Sequence, residues 1–187
     1  NEILLRGKTI TTGYYKKPEA TAAAIDRDGW FHTGDAGYLK DSHLYLTERI
    51  KDLFKTSNGK YISPQALETK LAIDRYIDQI AVIADERKFV SALIVPVYGF
   101  VKDYAKEKGI AYSNMDELLQ HPKIQALFRA RIDTLQQQFA HYEQVKRFTL
   151  LTEPFSMERG ELTNTLKLKR SVVAKNYKGL IDKMYEE

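Results

Sequence analysis

The chain has no cysteine among its 187 residues, which excludes a disulfide framework and any thiolate metal site. It also has no long apolar run. No stretch approaches the roughly 18 residues needed to span a bilayer, and the first residues lack the basic-then-apolar order of a signal peptide. These absences fit a cytoplasmic protein. Histidine is scarce: His32, His43, His121 and His141 show no metal-ligand spacing, and no metal site is expected. Arg6-Gly7-Lys8-Thr9 ends as a phosphate-binding P-loop ends, but the glycine that motif requires five positions earlier falls outside the chain. No nucleophile elbow marks a Ser-His-Asp arrangement. Internal repeats and low-complexity tracts are absent as well.

What is present is enough for an ordinary core, with 43% hydrophobic and 29% charged residues. The net charge is +4, and basic residues gather toward the end: Lys167, Lys169, Arg170, Lys175, Lys178 and Lys183. Such a segment is able to bind nucleic acid, a membrane surface or a phosphorylated small molecule. The plainer reading is a solvated helix face. Asn1 opens directly into an apolar run, "NEILLRG", and the expectation is a fragment or processed product of a longer protein.

Two textures divide the chain. Residues 1–48 carry glycines at 7, 13, 29, 34 and 37 and short apolar runs at Ile3–Leu5, Trp30–Phe31 and Leu44–Leu46, which predicts short strands joined by tight turns. Thr33-Gly34-Asp35 is expected to be one such turn, and "SHLYLTE" alternates as a half-buried strand does. Residues 49–52, "RIKD", form a short charged boundary, better suited to a hinge than to a tether. Residues 53–187 read as α+β, a largely antiparallel sheet flanked by helices. In that region "LFKTS" and "KYIS" flank Asn58-Gly59 as a hairpin. Ser63 and Pro64 are expected to open a helix that carries Leu67, Leu71 and Ile73 on one side. "IDQIAVIAD" and "VSALIVPV" are predicted to be buried strands, and "GFVKDYAKEKG" a helix stopped by Gly109. Two helices broken at His121-Pro122 follow, the second with Ile124, Leu127, Phe128, Ile132, Leu135 and Phe139 on one stripe. "VKRFTLL" returns to strand, "EPFSMERGELTNTLKLKR" reads as loop, and a single helix is expected at the end.

Three places are able to carry chemistry. Asp35 sits among glycines, where a carboxylate could hold the vicinal hydroxyls of a ribose and the backbone could approach a nucleotide closely. Taken alone, it is better read as a residue that stabilises its own turn. Arg49, with Lys51 and Lys55 beyond it, offers ribose or phosphate contacts, or merely the exposed side of a strand. Lys167 follows Thr163, Asn164 and Thr165 in a polar loop, where a lysine could bridge a carboxylate and a phosphate as charge develops. Singly, it is a surface lysine.

Order changes that balance. "GKTITTGYYKKPEAT", "DGWFHTGDAGYL", "ERIKDLFKTSNGKYISP" and "GELTNTLKLKR", in that sequence and across almost the whole chain, resemble the adenylate-forming enzymes, and within them the long-chain fatty acid–CoA ligases. The helical stretch between "LIVPV" and "VKRFTLL" is similar to the long-chain type. The resemblance implies the end of a large nucleotide-binding domain over 1–48, a hinge over 49–52 and a small mobile C-terminal domain over 53–187. It implies that Asp35 and Arg49 hold the nucleotide, that Lys51 is the pivot, and that Lys167 promotes acyl-adenylate formation. The loop with Lys55 and Gly59 would then serve thioester formation. Many relatives carry glycine immediately before the catalytic lysine, where this chain has Leu166. The implied substrates are ATP with Mg2+, a long-chain fatty acid and CoA, and the implied partner is the missing N-terminal domain, without which the fragment is expected to fold but not to catalyse. No nucleic acid is expected, and peripheral contact at the inner membrane stays open. Two other readings also stay open: an adenylation enzyme that charges a carrier-protein thiol, and a noncatalytic basic binding module.

Overall fold

The computed structural model of the protein describes residues 2–186, without the side chain of Glu48; Asn1, where the first apolar run begins, lies outside them. The chain divides into two compact units, Asn1–Leu53 and Phe54–Glu187.

The first unit is a three-stranded antiparallel sheet of β1 (Glu2–Leu5), β2 (Phe31–Lys40) and β3 (His43–Arg49), in that order. A short helix, α1 (Pro18–Ala24), lies between β1 and β2. Its strand-and-turn surroundings hide it, but proline in the first turn and an alanine-rich body favour a helix locally. Thr33-Gly34-Asp35 is not a turn, contrary to expectation, because all three lie inside the ten-residue β2. Gly34 does take a left-handed φ of 72°, so the glycine breaks the regularity of the strand without ending it. The reversal comes later, at Asp41 and Ser42, with φ of 48° and 61°, the two left-handed residues of a tight hairpin. Beyond β3, Ile50–Asp52 form a single 3-10 turn.

The second unit opens with the hairpin of β4 (Phe54–Lys55) and β5 (Tyr61–Ile62). Helix α2 (Pro64–Leu71) follows. Proline stands at its first turn, yet the Ser63 side chain makes no capping hydrogen bond. Ile73 lies beyond the helix and is exposed rather than on its buried side. The central sheet has the order β6 (Ile77–Ile83), β7 (Val90–Pro96), β8 (Val145–Leu150). Strand β7 is buried throughout because both faces are covered. Ala92 and Ile94 face a core with Leu67, Phe128 and Ile132, while Leu93 and Val95 face another with Val173 and Ile181. Each fully buried side chain of this size stabilises the fold by about 1.5–3 kcal/mol.

Strand β6 pairs antiparallel to β7, but β8 joins β7 in parallel. A parallel neighbour needs a long crossover, supplied by α3 (Tyr98–Glu107), α4 (Met115–Gln120) and α5 (Pro122–Leu135). The break between α4 and α5 falls at His121, whose ring accepts the Lys123 N–H at 3.2 Å. The end of the chain is two helices, not one: α6 (Arg170–Asn176) and α7 (Lys178–Tyr185), interrupted at Tyr177. Helix α7 is anchored by Tyr185, whose hydroxyl donates toward the carbonyls of Phe89 (2.9 Å) and Ile83 (3.2 Å) and meets Ser91 Oγ at 2.9 Å.

Candidate functional site

In the first unit the antiparallel register sets Asp35 directly opposite Arg49, the last residue of β3. Arg49 Nε donates to Asp35 Oδ1 at 2.9 Å. That hydrogen bond, then the carboxylate's charge, holds the guanidinium above its ordinary pKa. The pair is exposed enough, with 64% and 35% of the side chains accessible, that its value lies in placing the carboxylate rather than in stability. Strands β1 and β2 together hold the backbone on either side. Thr33 Oγ1 donates to the Ile3 carbonyl at 2.8 Å and accepts the Asp35 N–H at 3.1 Å. Glu2 Oε1 accepts the Gly34 N–H at 3.0 Å, and its other oxygen lies 2.9 Å from His32 Nδ1. The His32 contact, then the Gly34 N–H, lowers the Glu2 pKa. A cleft of about 650 Å³ opens beside this network, lined by Glu2, His32, Thr33, Gly34, Arg49 and Lys51 among others. It is of ligand size.

In the second unit the β4–β5 hairpin carries Lys55 and Gly59. Gly59 has φ of 74°, and a Cβ added there would meet nothing within 4 Å. The backbone conformation therefore calls for glycine, and the space above it is open. The hairpin is tied to the β6–β7 turn: Lys55 N–H donates to Asp85 Oδ1 at 3.2 Å, Glu86 N–H to the Lys55 carbonyl at 2.9 Å, and Ser57 N–H to the Arg87 carbonyl at 3.0 Å.

Lys167 stands on a second loop of the same unit, at the end of a tight turn closed by the Leu162–Leu168 bridge. Thr163 builds that turn. Its N–H donates to the Lys167 carbonyl at 2.8 Å, its carbonyl accepts the Leu166 N–H at 2.9 Å, and its hydroxyl accepts the Lys167 N–H at 3.0 Å. The Lys167 ammonium is exposed and has no hydrogen-bond or ion-pair partner among the described residues. Just before the turn stands Glu161, with a side chain 1% accessible and a carbonyl that accepts the Lys169 N–H at 2.8 Å. It accepts from Arg159 Nε (3.2 and 3.1 Å), Asn176 Nδ2 (3.1 Å) and Ser156 N–H (3.0 Å). Burial alone would raise the Glu161 pKa, but these donors, Arg159 foremost, hold it below the usual carboxylate range. Just past the turn, Arg170 forms a bidentate pair with Glu68, at 2.7 and 2.6 Å, so this cation is structural rather than free. Phe54 and Leu168, neighbours of Lys55 and Lys167, line one apolar pocket of about 340 Å³, so the roots of the two loops share a wall.

Arg49 and Lys51 thus line one cleft, which Asp35 does not itself line but reaches through its bond to Arg49; Lys55 and Gly59 are brought to a second place, and Lys167 to a loop of its own. Glu2, His32, Arg159 and Glu161 support these places and were not singled out from sequence. His32 lacks metal-ligand spacing, and among the described residues no group of three or more acidic or histidine side chains could hold a metal. For Glu161 a signal existed: opposite charges flank Gly160 within a polar loop.

Residues 51–187 match the family model of the AMP-binding enzyme C-terminal domain. The chain belongs to that family. As an AMP-binding enzyme C-terminal domain with a preceding β unit, it is 37% identical to the peroxisomal long chain acyl-CoA synthetase 7 of Arabidopsis thaliana, over 100% of this chain and 27% of that protein. It is 36% identical to the long-chain-fatty-acid–CoA ligase 5 of Rattus norvegicus, over 99% of this chain and 28% of that one. The AMP-binding C-terminal domain here therefore spans little more than a quarter of the length of these curated relatives. Among solved structures, it is similar to the A domain of a carboxylic acid reductase from Segniliparus rugosus in complex with AMP and a co-purified carboxylic acid. The TM-score is 0.78 and the identity 25%, over 98% of this chain and 28% of that one.

Proposed function

We propose that this chain is the C-terminal part of an AMP-forming ligase that activates a long-chain fatty acid with ATP and passes the acyl group to CoA. The observation that carries the reading is Lys167, an ammonium without a partner among the described residues, held on a turn built by Thr163 and preceded by a buried, paired carboxylate. In the first half-reaction a carboxylate oxygen of the fatty acid attacks the α-phosphorus of MgATP and pyrophosphate leaves. Two anions approach each other in that step, and a preorganised ammonium between them lowers the barrier. Asp35 accepts the ribose hydroxyls. One of its oxygens already receives Arg49 Nε, and the lone pairs that remain suffice for two hydroxyl donors.

In the second half-reaction the CoA thiol attacks the acyl carbonyl and AMP leaves. The Lys55–Gly59 hairpin serves this step, with the open space over Gly59 admitting the pantetheine arm. Lys51, at the 3-10 turn before Leu53, is the pivot between the two poses. Identity across the whole chain to proteins named for long-chain substrates supports the acyl class. The fragment alone is expected to be inactive.

The test is the full-length protein supplied with MgATP, palmitate and CoA, followed for palmitoyl-CoA, AMP and pyrophosphate in equal amounts. Pyrophosphate release without thioester would favour transfer to a carrier-protein thiol. No acid-dependent release of pyrophosphate would contradict the proposal.

A further inference from the structure

Leu166 stands in a backbone conformation that disfavours its side chain. Among the described residues five that are not glycine have left-handed φ: Lys16, Asp41, Ser42, Glu86 and Leu166. Leu166 is the apolar one, at φ of 59°. For a side chain with a Cβ this conformation is unfavourable, and short polar residues or glycine usually occupy it. The turn itself does not require leucine. Its hydrogen bonds come from the Thr163 backbone and hydroxyl and from the Leu166 and Lys167 amides, all of which glycine would permit without strain. Burial does not compensate either, since Leu166 is 67% exposed. The leucyl side chain is therefore surplus to the fold and works against its backbone. A strained residue kept beside a candidate catalytic group points to use at that group.

We infer that Leu166 is an acyl-contact residue: it lies against the first methylene groups of the fatty acid while Lys167 grips the carboxylate. This rests on the reading of Lys167 given above. Leu166 and Lys167 leave adjacent backbone positions of the turn and both are exposed, so an alkyl chain that runs back from the ammonium along the lysine stem would meet the leucyl group. An apolar group there covers the alkyl chain next to its charged end and excludes water from the reacting oxygens, which strengthens the ammonium's effect on the developing charge. A glycine at this position would supply the turn and nothing more.

The decisive comparison is Leu166→Gly with Leu166→Met in the full-length ligase, measured in the adenylation half-reaction by pyrophosphate release. Leu166→Gly relieves the backbone, and its unfolding temperature is expected to stay level or rise. Its kcat/KM for palmitate is expected to fall about tenfold, the scale on which an apolar pocket senses a lost group, with KM for ATP unchanged. Leu166→Met keeps an apolar side chain and retains most of the activity. Wild-type kcat/KM for palmitate in Leu166→Gly would overturn the inference. So would an equal fold-loss with acetate as the acid, which would set Leu166 against protein rather than the alkyl chain. Lys167→Ala, run alongside, separates the two failures. Retained adenylation there removes the role of Lys167 and this inference with it, whereas lost adenylation beside a fully active Leu166→Gly overturns the inference alone.

Discussion

At the scale of single residues, two acids show how differently a carboxylate is used. Asp35 is partly exposed and paired to a half-exposed arginine across a strand register, so it remains open to a ligand. Glu161 is sealed in and satisfied by Arg159, Asn176 and Ser156. Replacing Glu161 with alanine leaves those donors without their acceptor and should destabilise the domain by about 3 kcal/mol, measurable by denaturant unfolding. The pH dependence has a definite sign. A carboxyl whose folded pKa is lowered contributes stability above its unfolded value, close to the ordinary 4.5, and loses it as the pH falls through the lower folded value. The acid side of the stability profile should therefore be shallower in Glu161→Gln than in wild type. The motif that contains Glu161 was legible in the sequence, but its burial was not, because a charged residue in a polar loop gives no sign of which loop folds over it.

At the scale of elements, the strands and helices with strong periodicity were legible and their partners were not. The buried run of β7 and the break between α4 and α5 followed from Val/Ile content and from His121-Pro122. The parallel pairing of β8 did not, since nothing in "VKRFTLL" encodes direction. Thr33-Gly34-Asp35 resembled a turn because glycine beside Asp is a turn signature. It became part of β2 because β1 and β3 supply partners on both sides, a tertiary contribution that local composition cannot contain. The hairpin with Gly59 was legible from Asn58-Gly59. Its conformation predicts a divided outcome: Gly59→Ala should cost about 1 kcal/mol of stability through its left-handed φ. On the proposed function, thioester formation from supplied acyl-adenylate in the full-length protein should fall far more than adenylation does. Equal losses in the two half-reactions would deny the hairpin its separate role.

At the scale of the whole molecule, the two units differ in how they could stand alone. Residues 54–187 contain two apolar cores, one on each face of the β6–β7–β8 sheet. In the first unit Ala36 is the one buried hydrophobic residue among those described, while Leu39, Leu44 and Leu46 are 76%, 50% and 68% exposed. A unit of that size with so little burial is marginal. Residues 54–187 produced separately should unfold cooperatively with dispersed amide resonances, and residues 1–53 should not; a folded 1–53 would show that the burial argument is wrong. The basic end of the chain also looks different once folded, since Arg170 is committed to Glu68 and Lys178 lies 3.7 Å from Asp182, and Lys167 carries the functional claim. That claim is tested most directly in the full-length protein by Lys167→Ala, with each proposed half-reaction measured separately. Pyrophosphate release from MgATP and palmitate should be lost, while thioester formation from supplied palmitoyl-adenylate and CoA is largely kept. Survival of both half-reactions would make Lys167 a surface lysine and contradict the account.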